Sequence, residues 1–409
     1  MFWGKKAPSV HDKTRAVGLD LTATRLRGVA LSDWKTRALH LDPPAENLAL
    51  SVALDRRTPE VGRAGTGICR KIPHAVCANF LPHLAQSREW RYGRCVATAD
   101  AALEWTFSKA RGPILAESEA SVLALPTYLS PAQVGRVVAA TAKVKLPLKG
   151  TTIGALAVVA DRATAVLNGQ PVAPELPSPD WIVPLHATAT GPGAVVLVDA
   201  DEYALSAAVL AVERTVVRLV AVANWPRLAV KMWKERLLDA VADRCVRLCR
   251  RDPRDSAEAE QGLYDQLDEA LDRIRTGQRV GLVVRTDRWF QDVIHQPDEF
   301  EAYCSVLSRS AAEALREFLA GVPLPQPPRG LWLTHEAGRL PGLARALHLH
   351  SSEGTSVEVL PPNAIAQAAA ALVPRWLVGA LPRVHLDSVL ELPPVLQESA
   401  AEKARKGRG

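Results

Sequence analysis

The 409-residue chain has no uncharged apolar run of the roughly 18 or more residues that a membrane-spanning helix needs, so no membrane span is expected. No apolar core precedes the polar stretch from Ser9 to Arg15, which argues against a secretory signal and leaves the cytoplasm as the expected compartment. None of the six cysteines forms a C-x-x-C pair. Cys245 and Cys249 share a face of an expected helix, but two further ligands at zinc spacing are missing, so free thiols are the expected state. There is no H-E-x-x-H, no G-x-S-x-G and no G-x-x-x-x-G-K phosphate loop. The net charge is +6, yet Lys and Arg crowd together only in the last residues, Lys403 to Arg408. A nucleic-acid surface needs a folded basic stripe interleaved with aromatics, so no nucleic-acid partner is expected. The ten tryptophans are scattered along the chain and read as core and interface anchors.

Two segments about 180 positions apart read almost alike. In the first, Ala16-Val17-Gly18-Leu19-Asp20-Leu21 leads through Thr22-Ala23-Thr24 into a second apolar run ending near Leu31. In the second, Ala194-Val195-Val196-Leu197-Val198-Asp199 leads through Ala200-Asp201-Glu202-Tyr203 into a run ending near Leu210. Each is a strand, a tight turn and a strand, with one carboxylate at the turn. The repetition suggests a duplicated fold with two facing acidic hairpins.

Around these hairpins the chain divides into a disordered leader (1–13), a first lobe (14–190), a second lobe (191–385) and a charged flexible tail (386–409). Six prolines between 168 and 192 mark the boundary between the lobes. Further strands are expected at 38–41, 48–54, 120–125, 215–222, 278–285 and 330–333, with 61–84 irregular. Helices are expected at 99–109, 130–143, 227–250, 256–275, 297–319, 341–349 and 363–377, and 150–159 reads equally as helix or strand. Ser130 with Pro131 is a helix start, and Pro374 is a candidate kink. The second lobe thus carries a helical subdomain over about 231–321 and a closing segment over 330–380. Strands and helices together make a mixed α/β chain.

Several segments, in order, resemble the nucleotide-binding domain of the heat-shock protein 70 family, within the actin/hexokinase-like superfamily. Gly18-Leu19-Asp20-Leu21-Thr22-Ala23-Thr24 looks like the first phosphate motif, G-I-D-L-G-T-T. Leu125-Pro126-Thr127-Tyr128 with Gln133 looks like V-P-A-Y-F-x-x-x-Q. The segment from Leu197 to Ala204 stands where the second phosphate motif, D-L-G-G-G-T, should lie, and Phe300-Glu301-Ala302-Tyr303-Cys304 where F-E-x-L-C opens a helix. Gly338-Arg339-Leu340-Pro341 looks like the end of the adenosine motif, and Pro361-Pro362-Asn363-Ala364-Ile365-Ala366 looks like P-D-E-A-V-A. The resemblance covers about residues 14–380 and implies a two-lobed actin-like ATPase fold, with duplicated ribonuclease-H-like domains and a cleft for ATP and Mg. The substrate-binding half of such chaperones would follow residue 385 and is expected to be absent.

The resemblance assigns Asp20 and Asp199 to Mg, Thr22, Thr24 and Asp201 to the phosphates, Glu269 and Arg273 to an adenine clamp, and Arg339 to stacking on the base. The same comparison exposes losses. A phosphate hairpin works by close approach of backbone N–H groups, which glycine permits and side chains obstruct. Thr22 replaces that glycine in the first hairpin, and Asp201, Glu202 and Tyr203 replace all three in the second. Paired carboxylates repel a triphosphate, unless Asp199, Asp201 and Glu202 hold a hard cation. The expected catalytic lysine is missing between Lys71 and Lys109, and Gly150-Thr151-Thr152 stands in place of a family glutamate. The expected function is a degenerate nucleotide-binding protein with weak or absent hydrolysis that acts through a protein partner. The alternatives are a divergent working ATPase, or an actin-like assembly scaffold of the pilus-system type.

Overall fold

A computed structural model of the chain describes residues 15–32, 35–167, 193–213, 215–350, 355–379, 381, 383–384 and 388–392. The fold is mixed α/β and is organised by two six-stranded sheets. The strand Ala16–Leu21 is buried at all six positions. It therefore needs cover on both faces and neighbours on both edges. It pairs antiparallel with Arg25–Ser32 and parallel with Ser121–Leu125, which in turn runs parallel to Leu148–Ile153. Lys35–Ala38 closes the far edge against Arg25–Ser32.

The second sheet repeats this plan. Gly193–Ala200 pairs antiparallel with Leu205–Val212 and parallel with Gly330–Leu333, which runs parallel to Ser356–Val359. Val216–Trp225 lies antiparallel on the outer side of Leu205–Val212. The central order and the parallel and antiparallel pattern are thus the same in both sheets. Among the described residues the sixth strand differs: Leu48–Ala49 pairs with Arg25–Ser32 in the first sheet, and Val389–Glu391 joins the edge of Val216–Trp225 in the second.

Three apolar cores follow from this arrangement. Ala99–Glu117 and Pro131–Lys143 pack on the outer face of the first sheet through Leu103, Phe107, Val134 and Val137. Val230–Cys249, Ala257–Arg275 and Pro297–Ala320 cover the outer face of the second through Trp233, Leu267 and Phe300. Between the sheets lie Gly154–Leu167 and Ala364–Leu377, in a core that takes Val122 from one sheet and Leu197 and Trp332 from the other. Gly18 makes this possible. A Cβ there would lie 1.8 Å from the Ala366 carbonyl oxygen and 2.3 Å from the Ala370 nitrogen, so only glycine lets the helix backbone sit on the strand.

Most expected elements form, with differences that have local causes. Ser130 and Gln133 make a reciprocal capping box at the start of Pro131–Lys143. The segment 150–159 is both things it resembled, the end of Leu148–Ile153 and the start of Gly154–Leu167. The strand expected at 38–41 lies earlier, at Lys35–Ala38, and 48–54 splits into Leu48–Ala49 and Ser51–Ala53, which join different sheets. The hairpin Glu89–Tyr92 with Cys95–Thr98 and the strands Phe290–His295 and Ser356–Val359 were not anticipated. The tail expected from 386 is corrected at its start, because Leu390 is buried in a paired strand. The leader 1–13, the linker 168–192 and the tail from 393 lie outside the described residues. All six cysteines are free thiols. Among the described residues no helix is long and apolar enough to cross a membrane.

Candidate functional site: the clasped hairpins and the charged cleft

The two hairpin turns have the same geometry. Leu21 pairs with Leu26, and the Thr22 N–H donates to the Arg25 carbonyl at 2.9 Å. Ala200 pairs with Leu205, and the Asp201 N–H donates to the Ala204 carbonyl at 3.0 Å. Ala23 and Glu202 therefore occupy equivalent places at the two tips. Each donates its backbone N–H to a side chain of the other tip: Ala23 to Asp201 Oδ2 at 2.8 Å, and Glu202 to Thr24 Oγ1 at 2.9 Å. The hairpins thus clasp one another.

Asp201 is the centre of the clasp. Its Oδ1 accepts the N–H groups of Tyr203 and Ala204 at 2.8 and 2.9 Å, and its Oδ2 also accepts the Tyr128 hydroxyl at 2.5 Å. Burial pushes its carboxyl above the usual carboxylate range, and these donors oppose that rise. Burial and the adjacent Asp201 charge hold the Tyr128 hydroxyl far above its ordinary value, so it stays a donor.

Asp20 and Asp199 sit one step further in, at matching places. Both line two small spaces of about 20 Å³, each with room for a single water. Burial raises the Asp20 carboxyl to about 6, against the nearby Arg27 and Arg25. Burial likewise raises Asp199 to about 7, although the Thr334 hydroxyl donates to it at 2.7 Å. Thr22 uses its hydroxyl inside its own turn, on the Arg25 carbonyl at 3.3 Å.

Beside the clasp opens a cleft of about 700 Å³. Its floor is an ion network built on the buried Arg25, Lys234, Glu336 and Arg339. Glu336 pairs with Arg25 and with Arg339, the latter at 2.9 Å. Burial alone would raise the Glu336 carboxyl, but the two guanidiniums outweigh it and hold the group well below its ordinary value. Arg339 also reaches Asp268 and Asp272, and Lys234 bridges Asp268 at 3.1 Å and Glu202 at 3.5 Å. At the opposite rim the segment after the first sheet's hairpin reaches across. Arg70 pairs with Glu235 and Glu260, and its N–H donates to Gln261 Oε1 at 2.7 Å.

Of the residues read from the sequence, Asp20, Thr22, Thr24, Asp199 and Asp201 converge at the clasp, and Arg339 lines the cleft. Arg339 is 5 % exposed and committed to three carboxylates, so its guanidinium is not a free stacking surface. Glu269 and Arg273 do not join the site. They form an ion pair at 2.5 Å on the exposed side of their helix, and Asp268 and Asp272 line the cleft instead. An error of one position on a helix rotates the chosen residue by about 100°. Asp199, Asp201 and Glu202 do not assemble into a cation site, since the Asp201 oxygens face donors and Glu202 faces Lys234. Among the described residues no group of three or more His, Cys, Asp or Glu side chains is placed to hold a metal ion. Sequence reasoning missed the roles of Arg25, Lys234 and Glu336. Their signal was present as charged residues at strand and helix positions that the fold must bury. No family model matches the chain, and no curated protein matches it significantly.

Proposed function

We propose that the chain is a two-lobed protein of the heat-shock-70/actin-like class, with a ribonuclease-H-like sheet in each lobe, that has given up nucleotide hydrolysis and acts through contacts with a protein partner. The repeated strand order and the facing hairpins support the fold. The observation that carries the functional reading is the bond from the Ala23 N–H to Asp201. Backbone N–H groups at such a turn are what would receive a phosphate. Here one of them already holds an anion belonging to the chain. The residues present therefore do not fit ATP·Mg in the family manner, and no catalytic step is assigned to it.

The size of the cleft and the matched pair Asp20 and Asp199 favour a second reading, a rewired ATPase. Thermal unfolding with and without millimolar ATP·Mg separates the two. A ligand present at 100 times its dissociation constant adds about 2.7 kcal/mol. The expected outcome is no shift in Tm. A clear stabilisation, abolished by Asp20→Asn and Asp199→Asn together, would establish the ATPase reading in its place. Sedimentation of the purified chain tests the assembly-scaffold alternative, for which concentration-dependent polymers are required.

A further inference from the structure

A second cavity opens into the core on the outer face of the second sheet and shares no lining residue with the charged cleft. It measures about 410 Å³, within the range of about 300–1,000 Å³ typical of small-molecule sites. Its floor is apolar and reaches into the core, with Val196, Leu315, Leu331 and Leu347 each at most 5 % exposed. Its roof is the loop carrying Leu324, Pro325, Pro327 and Pro328.

The roof is fixed in place. The Arg329 N–H donates to the Ala194 carbonyl at 2.9 Å, the Leu324 N–H to the Val322 carbonyl at 2.8 Å, and the Thr355 hydroxyl to the Pro328 carbonyl at 2.8 Å. Three prolines add fixed φ angles. The pocket is thus preformed, which lowers the entropic cost of filling it.

Its rim is basic. Arg316 stands at the mouth on the exposed side of Pro297–Ala320, and no carboxylate among the described residues pairs with it. In the charged cleft, by contrast, Arg70 and Arg339 are committed to acids. An apolar interior with a guanidinium at its mouth that no carboxylate among the described residues engages matches one class of ligand, a flexible aliphatic chain ending in a carboxylate.

We propose that this pocket binds a medium-chain aliphatic carboxylate, with its chain between the core residues and the proline-rich roof and its head on Arg316. Calorimetric titration of the full chain with sodium dodecanoate, below its micelle concentration, tests this. Butyrate and dodecanol serve as ligands lacking the chain and the charge. Dodecanoate is expected to bind and butyrate not to bind. Arg316→Gln, at an exposed position, is expected to weaken dodecanoate by at least about tenfold and leave dodecanol unchanged, as befits loss of a charge-assisted hydrogen bond. Leu319→Trp, placed at the cavity wall, is expected to abolish both. Absence of dodecanoate binding, or equal binding to wild type and both variants, overturns the proposal. So does dodecanol binding as tightly as dodecanoate. None of these outcomes depends on whether ATP binds in the cleft.

Discussion

The two hairpins have the same strand register and the same four-residue turn, yet their tips carry opposite chemistry. The first, Thr22-Ala23-Thr24-Arg25, offers an N–H and a hydroxyl. The second, Asp201-Glu202-Tyr203-Ala204, offers a carboxylate and an N–H. Equivalent positions donate across the interface in both directions, but only one acceptor is charged. Two hairpins of one geometry form a matched pair because their tips differ while their strand register is the same. The difference teaches that one turn geometry can present a donor at one tip and its charged acceptor at the other.

Removing the charged acceptor is the most direct way to break this pairing. Asp201→Ala leaves the N–H groups of Tyr203 and Ala204 and the Tyr128 hydroxyl without their acceptor, and the Ala23 N–H with only the Tyr128 oxygen at 3.1 Å. A loss of about 3–5 kcal/mol in urea unfolding is expected. Thr24→Val removes only the neutral acceptor of Glu202 N–H, and about 1–2 kcal/mol is expected. Equal losses from the two would mean that the asymmetry described for the tips has no energetic counterpart.

The second contrast is set by pH. The Asp199 carboxyl rises from 3.8 to about 7 on folding, so between these values the folded state holds a proton that the unfolded chain has released. Stability from this group is complete below the unfolded value and is lost as pH climbs through the folded one. Asp199→Asn mimics the protonated form. Its urea midpoint should equal that of wild type near pH 4 and exceed it at pH 8, by a free energy on the order of 1–3 kcal/mol. Asp20→Asn should follow the same course with a smaller gain, because Asp20 rises only to about 6. A variant advantage that is constant across this range would remove proton linkage as its cause.

The smallest expected effect lies at the exposed ion pair of Ala257–Arg275, set against the cleft floor. Glu269→Gln breaks only an exposed i,i+4 pair, and a change below about 0.5 kcal/mol is expected. Glu336→Gln, in the cleft floor, leaves Arg25 and Arg339 without their shared carboxylate and should cost far more. Comparable losses at the two sites would contradict the placement of the cleft.

Much of the architecture was legible because strands and helices announce themselves by period. The hairpins around Asp20 and Asp199, the Ser130 cap and the helix from Pro297 all rest on local pattern. Short strands that exist only through pairing, such as Glu89–Tyr92 and Val389–Glu391, have no such signature. The site was half legible. Residues within the turns could be named, since a turn brings its own neighbours together. The partners of those residues come from distant segments: Tyr128 for Asp201, Glu336 for Arg25, Asp268 for Lys234. Gly18 shows the same limit, because it was read as part of a phosphate motif and its visible duty is to admit a helix backbone.

That helix, Ala364–Leu377, comes near the end of the described chain and rests on the first strand, Ala16–Leu21. During synthesis the opening hairpin therefore leaves the ribosome long before the segment that covers it exists. Until then the face of Ala16–Leu21 at Gly18 lacks the helix backbone that covers it. Closure of the central core therefore depends on a segment made late, and a truncation that removes Ala364–Leu377 is expected to open that core.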